Sequence, residues 1–262
     1  MRKYKVRRKT KNSTNVIEFE SARKKKKKKR NFKGAVVILI IAAVITFLLS
    51  PVFNIKNINV TNNKKVSQSN IMALSGIKVG SNMFKLNIKD AKDRVKTIPY
   101  IEDANVFRNL KGEITISVTE RVPAFYFKKG TGYLLSDKEG RYLEILSKMP
   151  EGLPNITGID VGSGKLGEFV PEKYNTNLTA LMNLLSEFKN LGIDNRVSEI
   201  NIKNPDNLTF IFDGNKKIIM GKNFRTDYKL MMLKATIEEI APSEKGTIDL
   251  SKEGKALFTP AE

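Results

Sequence analysis

The chain of 262 residues contains no cysteine, no histidine and no tryptophan. On its own it therefore cannot build a Ser-His-Asp triad, a cysteine nucleophile, a Cys or His zinc site, an iron-sulfur cluster or a disulfide. Acidic residues are scarce too, with 27 Asp and Glu against 47 Lys and Arg, and a net charge of +20. The imbalance is local. Residues 1–33 hold sixteen basic side chains, including the run Arg23 to Arg30, against only Glu18 and Glu20. Few aromatic or branched apolar residues interrupt this tail, so its composition predicts disorder.

What is present next is an apolar stretch. Gly34 to Phe53, GAVVILIIAAVITFLLSPVF, has no charged residue. Twenty residues at ~1.5 Å each match the roughly 30 Å hydrocarbon core, so the stretch reads as a transmembrane helix. A buried core helix is the competing reading, but core helices alternate with polar residues and are not flanked by a dense basic tail. Leu48 and Ser50 before Pro51 make a poor signal-peptidase site, so the expectation is an uncleaved anchor. Basic flanks resist translocation, which places residues 1–33 in the cytoplasm and the rest outside. The same charges favour anionic lipid at about 1 kcal/mol per residue. Specific nucleic-acid binding is not expected, because base reading needs a folded module that the tail does not supply.

Beyond the apolar stretch the order is strand, helix, helix, strand, strand. Ile55, Ile58 and Val60 open an extended segment, and Asn62 to Lys65 turn it. Ser67 caps a short helix with Ile71 and Leu74 that stops at Gly76. Asn87 caps a second, whose stripe is Ile88, Ala91, Val95 and Ile98. Strands at 101–109 and 113–119 complete a small α+β module of two helices on a three-stranded sheet.

These residues resemble a known family. The stretch I55-x-x-I58-N59-V60-x-N62, then V66-S67, I71, L74 to F84, I98-P99-Y100-I101-E102-D103-A104-N105-V106 and I114-x-I116-x-V118-x-E120-R121-x-P123 is similar to the POTRA domain of the bacterial cell-division proteins FtsQ and DivIB. Downstream the likeness includes Tyr133 to Gly140, Leu153 to Gly158 and Thr247 to Ser251. The resemblance implies a non-enzymatic single-pass scaffold at the septum that recruits bitopic division proteins of the FtsL and FtsB or DivIC type, helps control septal peptidoglycan synthesis and needs no cofactor. Alternatives are a POTRA-bearing polypeptide-transport component or a cell-wall enzyme. The resulting division is a tail at 1–33, an anchor at 34–53, a POTRA domain at 54–121, a β domain at 122–251 and a C-terminal tail at 252–262.

The β domain is expected to be strand-rich, with two helices packed on it. Leu208, Phe210 and Phe212 alternate before Asp213-Gly214, a two-residue hairpin signal, and Ile218 and Met220 resume the pattern. Leu178, Leu181, Leu185, Phe188 and Leu191 mark one helix; Leu230, Leu233, Ile237 and Ile240 mark the other. Two chemical motifs carry little. Gly162 to Gly167 matches G-x-G-x-x-G, but Pro171 prevents a helix from following directly, so a flexible surface loop is the expectation. Ser75-Gly76-Ile77-Lys78 matches S-x-x-K, yet the companion S-D-N and K-T-G elements are missing and helix termination accounts for Ser75 and Gly76. The candidate partner site is Thr247, Ile248, Asp249 and Leu250 with Phe258. This strand is expected to be the last of its sheet, an open edge for β-augmentation followed by an unpatterned tail; the competing reading is that Ile248 and Leu250 are plain core residues, since one face of such a strand must be buried.

Overall fold

The computed structural model describes residues 20–222 and 225–261, without the side chains of 20–31. Helix α1 spans Glu20–Leu48 and so begins inside the stretch expected to lack structure. Straight-chain Lys and Arg lose little rotamer freedom in a helix, and an adjoining apolar helix supplies the nucleus. Residues 1–19, the remainder of the basic tail, lie outside the described residues. The apolar stretch is not one helix. Ser50 is extended and Pro51 begins a separate 3₁₀ turn, Pro51–Phe53, because proline disfavours helical backbone at the residue before it. Among the described residues no helix is long and apolar enough to cross a membrane.

The first module comprises β1 (Asn57–Thr61), α2 (Gln68–Ser75), α3 (Ile88–Val95), β2 (Ile101–Arg108) and β3 (Glu113–Glu120), with sheet order β1-β3-β2. Ser67 and Asn87 cap the two helices through their side-chain oxygens, and Gly76 ends α2 at φ 70°. Strand β3 alternates strictly: Ile114, Ile116 and Val118 are buried, together with Ile71, Ala91 and Val95 of the helices.

Nine strands form the second sheet, in the order β12-β11-β10-β9-β8-β7-β4-β5-β6. They are β4 (Pro123–Lys129), β5 (Gly132–Asp137), β6 (Tyr142–Leu146), β7 (Asn155–Thr157), β8 (Val197–Asn201), β9 (Thr209–Phe212), β10 (Lys216–Ile219), β11 (Gly246–Asp249) and β12 (Leu257–Pro260). Helix α4 (Asn175–Leu191) links β7 to its parallel neighbour β8, and α5 (Thr226–Glu238) links β10 to parallel β11. Parallel neighbours need such crossovers, and both helices bury their stripes in the same core. On α4 the most buried positions are Leu181, Leu184 and Phe188, while Leu185 is only partly buried. The β9–β10 hairpin has three loop residues rather than two, since Phe212 pairs with Lys216; Asp213 and Gly214 both take positive φ.

Strands β4 to β6 lie between two cores. Phe125, Phe127, Leu134 and Tyr142 join the core under α4 and α5, whereas Tyr126, Leu135 and Leu143 join the core of the first module. The junction is also polar. Arg121, between β3 and β4, pairs with the buried carboxylate of Asp137 and with Glu139 at 2.7 Å. The Tyr100 hydroxyl donates to Glu144 of β6 at 2.8 Å, and Lys65 bonds the same carboxylate at 3.0 Å. Glu120 accepts the backbone N–H groups of Lys64, Lys65 and Val66, which fixes the loop leading into α2.

Candidate partner-binding edge

Strand β11 is not the edge. Thr247 pairs with Lys217 of β10 on one side and Thr259 of β12 on the other; Ile248 lies between Ile218 and Phe258; Asp249 lies between Ile219 and Leu257. Ile248 and Leu250 are fully buried, and the Leu250 N–H donates to Ile219 O at 2.9 Å. The stretch expected to be an unpatterned tail thus contributes the true edge, β12. Four residues ending in proline are too few to show a strand period. Two signals were available: Gly254, at φ 67°, turns the chain back, and Pro260 suits an edge, where a missing ladder donor is tolerated.

Gly246 makes the pairing possible. A Cβ there would lie 2.5 Å from both the Phe258 ring and the Thr259 carbonyl, so only glycine lets the ring lie against β11. Phe258, expected as part of the partner site, is accordingly half-buried against the core, while Leu257 is 43% exposed. The Ala261 N–H donates to Lys245 O at 2.9 Å. Antiparallel alternation then turns the N–H groups of Leu257 and Thr259 toward β11, and the backbone N–H and C=O of Phe258 outward.

The sheet's other edge is covered where β6 begins. Tyr142 N–H donates to Glu168 O at 2.8 Å, Gly167 N–H donates to Tyr142 O at 2.8 Å, and Arg141 bridges Phe169, so residues 167–169 lie against the first residue of β6. The glycine-rich segment preceding them is docked as well, by the Lys129 ammonium on the Ser163 carbonyl. Ser75, the other residue with a tempting motif, is buried; its hydroxyl donates to Met72 O at 2.7 Å and accepts the Ile77 N–H, as a helix terminus requires. Among the described residues no group of three His, Cys, Asp or Glu side chains is placed to hold a metal ion.

Around β11 the electrostatics are local. Hydrogen bonds from the Ser251 hydroxyl and backbone N–H, reinforced by Lys252 and Lys229, hold the Asp249 carboxyl below its usual range. Lys229 of α5 is buried, and burial lowers its pKa against the opposing pull of Asp249. A buried amine of lowered pKa is raw material for base or Schiff-base chemistry. Here its Nζ donates to Met220 O at 2.6 Å and Lys222 O at 2.8 Å, so it clamps the chain between β10 and α5.

Comparison with known proteins agrees with this architecture. A family model described as "POTRA domain, FtsQ-type" matches residues 53–121, and one described as "Cell division protein FtsQ/DivIB, C-terminal" matches 125–251. The chain is 30% identical to the cell division protein DivIB of Clostridium tetani, covering 79% of each chain. It is 28% identical to DivIB of Clostridium acetobutylicum, over 80% of this chain and 84% of that one. It is also 28% identical to the cell division protein FtsQ of Syntrophotalea carbinolica, over 77% of this chain and 70% of that one. The extracytoplasmic domain of DivIB from Geobacillus stearothermophilus aligns with a TM-score of only 0.31 at 14% identity, over 47% of this chain and 98% of that one, too weakly to bear on the fold. A POTRA module followed by a strand-rich domain, matched over most of its length by these relatives, identifies the chain as a member of the FtsQ/DivIB family of bacterial cell-division proteins.

Proposed function

We propose that the protein is a non-enzymatic single-pass scaffold of the division machinery, which offers the open edge of β12 to an extended segment of another bitopic division protein. The resemblance points to partners of the FtsL and FtsB or DivIC type and, through them, to control of septal wall synthesis. In this reading the basic tail stays cytoplasmic, residues 34–53 anchor the chain, and the modules at 54–121 and 122–251 lie outside.

One observation carries the proposal: of the two edges of the nine-stranded sheet, β6 is met by residues 167–169 where it begins, at Arg141 and Tyr142, while no strand pairs with the outer side of β12 among the described residues. An unpaired edge offers backbone donors and acceptors for β-augmentation, with side-chain pockets adding specificity. Thr247, Ile248, Asp249 and Leu250 form the supporting strand, and Phe258 sets the edge strand upon it.

The test is capture of partners from crosslinked cells with the full chain and with an edge variant, Leu257→Lys/Thr259→Lys. The substitutions place charge on two exposed side chains of β12, a known deterrent to strand addition. Partner capture is expected to fall sharply while thermal unfolding stays close to wild type. Undiminished capture by a folded variant would move the site elsewhere.

A further inference from the structure

The end of α1 is bonded directly to the first module. Asn82 donates from its side-chain amide to the carbonyls of Leu48, at 2.9 Å, and Ser50, at 3.3 Å, satisfying helix-terminal acceptors. Phe47, Phe53 and Phe84 stack edge to face, with centroids 5.3 and 5.2 Å apart. Loop 79–83 then runs beside the chain leaving the helix: Gly80 N–H donates to Ile55 O, Ile55 N–H to Ser81 O, and Met83 N–H to Phe53 O. On the other side the β2–β3 turn is tied in, with the N–H groups of Lys56 and Asn57 on Gly112 O. A Cβ at Gly112 would sit 2.8 Å from Asn54 O, so the turn approaches this closely only because residue 112 is glycine.

Three segments therefore meet where the apolar helix ends, and each exposes a large apolar side chain: Val52 at 65%, Val79 at 60% and Leu110 at 74%. Lys56, Lys78 and Lys111 are exposed beside them. Apolar tips set among lysines are the composition of a surface that lies in a lipid headgroup layer. The helical apolar run Gly34 to Leu48 rises roughly 22 Å, short of a hydrocarbon core of about 30 Å. With no slack between helix and module, the residues just beyond Leu48 are held where they can make up the deficit, as Phe32 and the stem of Lys33 can at the other end of the same helix.

We propose that this end of the first module is itself a lipid-binding surface, with Val52, Val79 and Leu110 entering the outer interface of an anionic bilayer and the three lysines contacting its headgroup phosphates. The proposal rests on reading residues 34–53 as the anchor. It makes the module a fixed extension of the anchor rather than a domain swinging on a tether.

The absence of native cysteine allows a direct test on the full chain. Val79→Cys, Leu110→Cys and, as a control in the second domain, the exposed Lys203→Cys are each labelled with a polarity-sensitive fluorophore and reconstituted into phosphatidylcholine vesicles with and without phosphatidylglycerol. Labels at 79 and 110 should be blue-shifted and quenched several-fold more by headgroup-region spin-labelled lipid than the label at 203. Lys78→Glu/Lys111→Glu should weaken this in anionic vesicles only. Alkaline carbonate extraction separates the two readings. A protein that resists extraction while labels 79 and 110 behave like the control keeps the anchor and overturns the lipid surface, whereas a protein that is extracted overturns both. Shielding equal in both vesicle types, insensitive to the charge reversals, would remove the lysines from the proposal.

Discussion

The two ends of the nine-stranded sheet are built on different terms. At one end, β4 to β6 are covered on both faces, and residues 167–169 meet the edge where β6 begins. Consecutive residues Phe125, Tyr126 and Phe127 are all buried, because odd and even positions each meet a core. At the other end, one face of β9 to β12 packs under α4 and α5 while the opposite face is left partly exposed and mixes polar with apolar side chains; β9 alternates buried Phe210 and Phe212 with half-exposed Thr209 and Ile211. A double-covered strand fixes the relation of two modules. A single-covered strand at an open edge leaves backbone groups free for another chain. The same sheet thus serves as a rigid joint at β4–β6 and, in the function proposed for it, as a docking rail at β12.

The joint is where a single change should cost most. Arg121→Ala would strip the cation from Asp137, whose side chain is only 3% exposed, and leave a buried carboxylate unpaired. Breaking a buried pair in this way costs about 3–5 kcal/mol. Chemical denaturation should show a loss of that size, and a loss within the surface range of about 0.5 kcal/mol would mean that water reaches Asp137.

A matched pair of truncations compares the two ends directly. Leu135 faces the first module at 5% exposure, and Leu257 lies on the open edge at 43%. Leu135→Ala should cost about 2–5 kcal/mol and split the unfolding transition as the modules uncouple. Leu257→Ala should change stability by no more than about 0.5 kcal/mol. Equal costs, measured by calorimetry, would show that β12 is as enclosed as β5.

The smallest expected effect is the response to acid. Burial pushes the carboxyls of Glu120 and Glu144 upward, but backbone donors in the first case and Lys65 with Tyr100 in the second outweigh it, so both titrate below the ordinary 4.5. The hydrogen bond from Arg121 lowers Glu139 in the same direction. Groups with a lowered folded pKa stabilise fully above their unfolded value, and that contribution is lost as pH falls through the folded one. Melting temperature should therefore hold down to about pH 5 and then decline, with Glu144→Gln flattening the decline modestly because the group is partly exposed. An unchanged acid limb in Glu144→Gln would place the loss at other carboxylates.

Much of the first module was legible because its signals are local. Ser67, Asn87 and Gly76 act within one turn of their own helices, and Ile114, Ile116 and Val118 alternate on a single strand. In the second domain, Leu178, Leu181 and Phe188 mark α4, but the stripe leans toward Leu184 rather than Leu185 because the sheet beneath selects the face. The candidate site was only half legible. Thr247 to Leu250 do form a strand, and Phe258 lies beside it, but whether a strand is an edge depends on what pairs with it. The ring of Phe258 against Gly246, which admits β12, is a contact between residues twelve positions apart in the chain.

Periodicity, capping residues and the run of charge followed by apolar residues determined the helices, most strands and the order of modules, because these features depend on how one segment meets solvent or its own backbone. Tertiary structure alone decided the rest. It set the burial of β4 to β6 on both faces, the pairing of Arg121 with Asp137, the docking of Asn82 onto the end of α1 and the identity of the open edge. Each of these depends on where a distant segment comes to rest, and a hydrogen-bonding group or an apolar face reads the same in sequence whether its partner arrives or not.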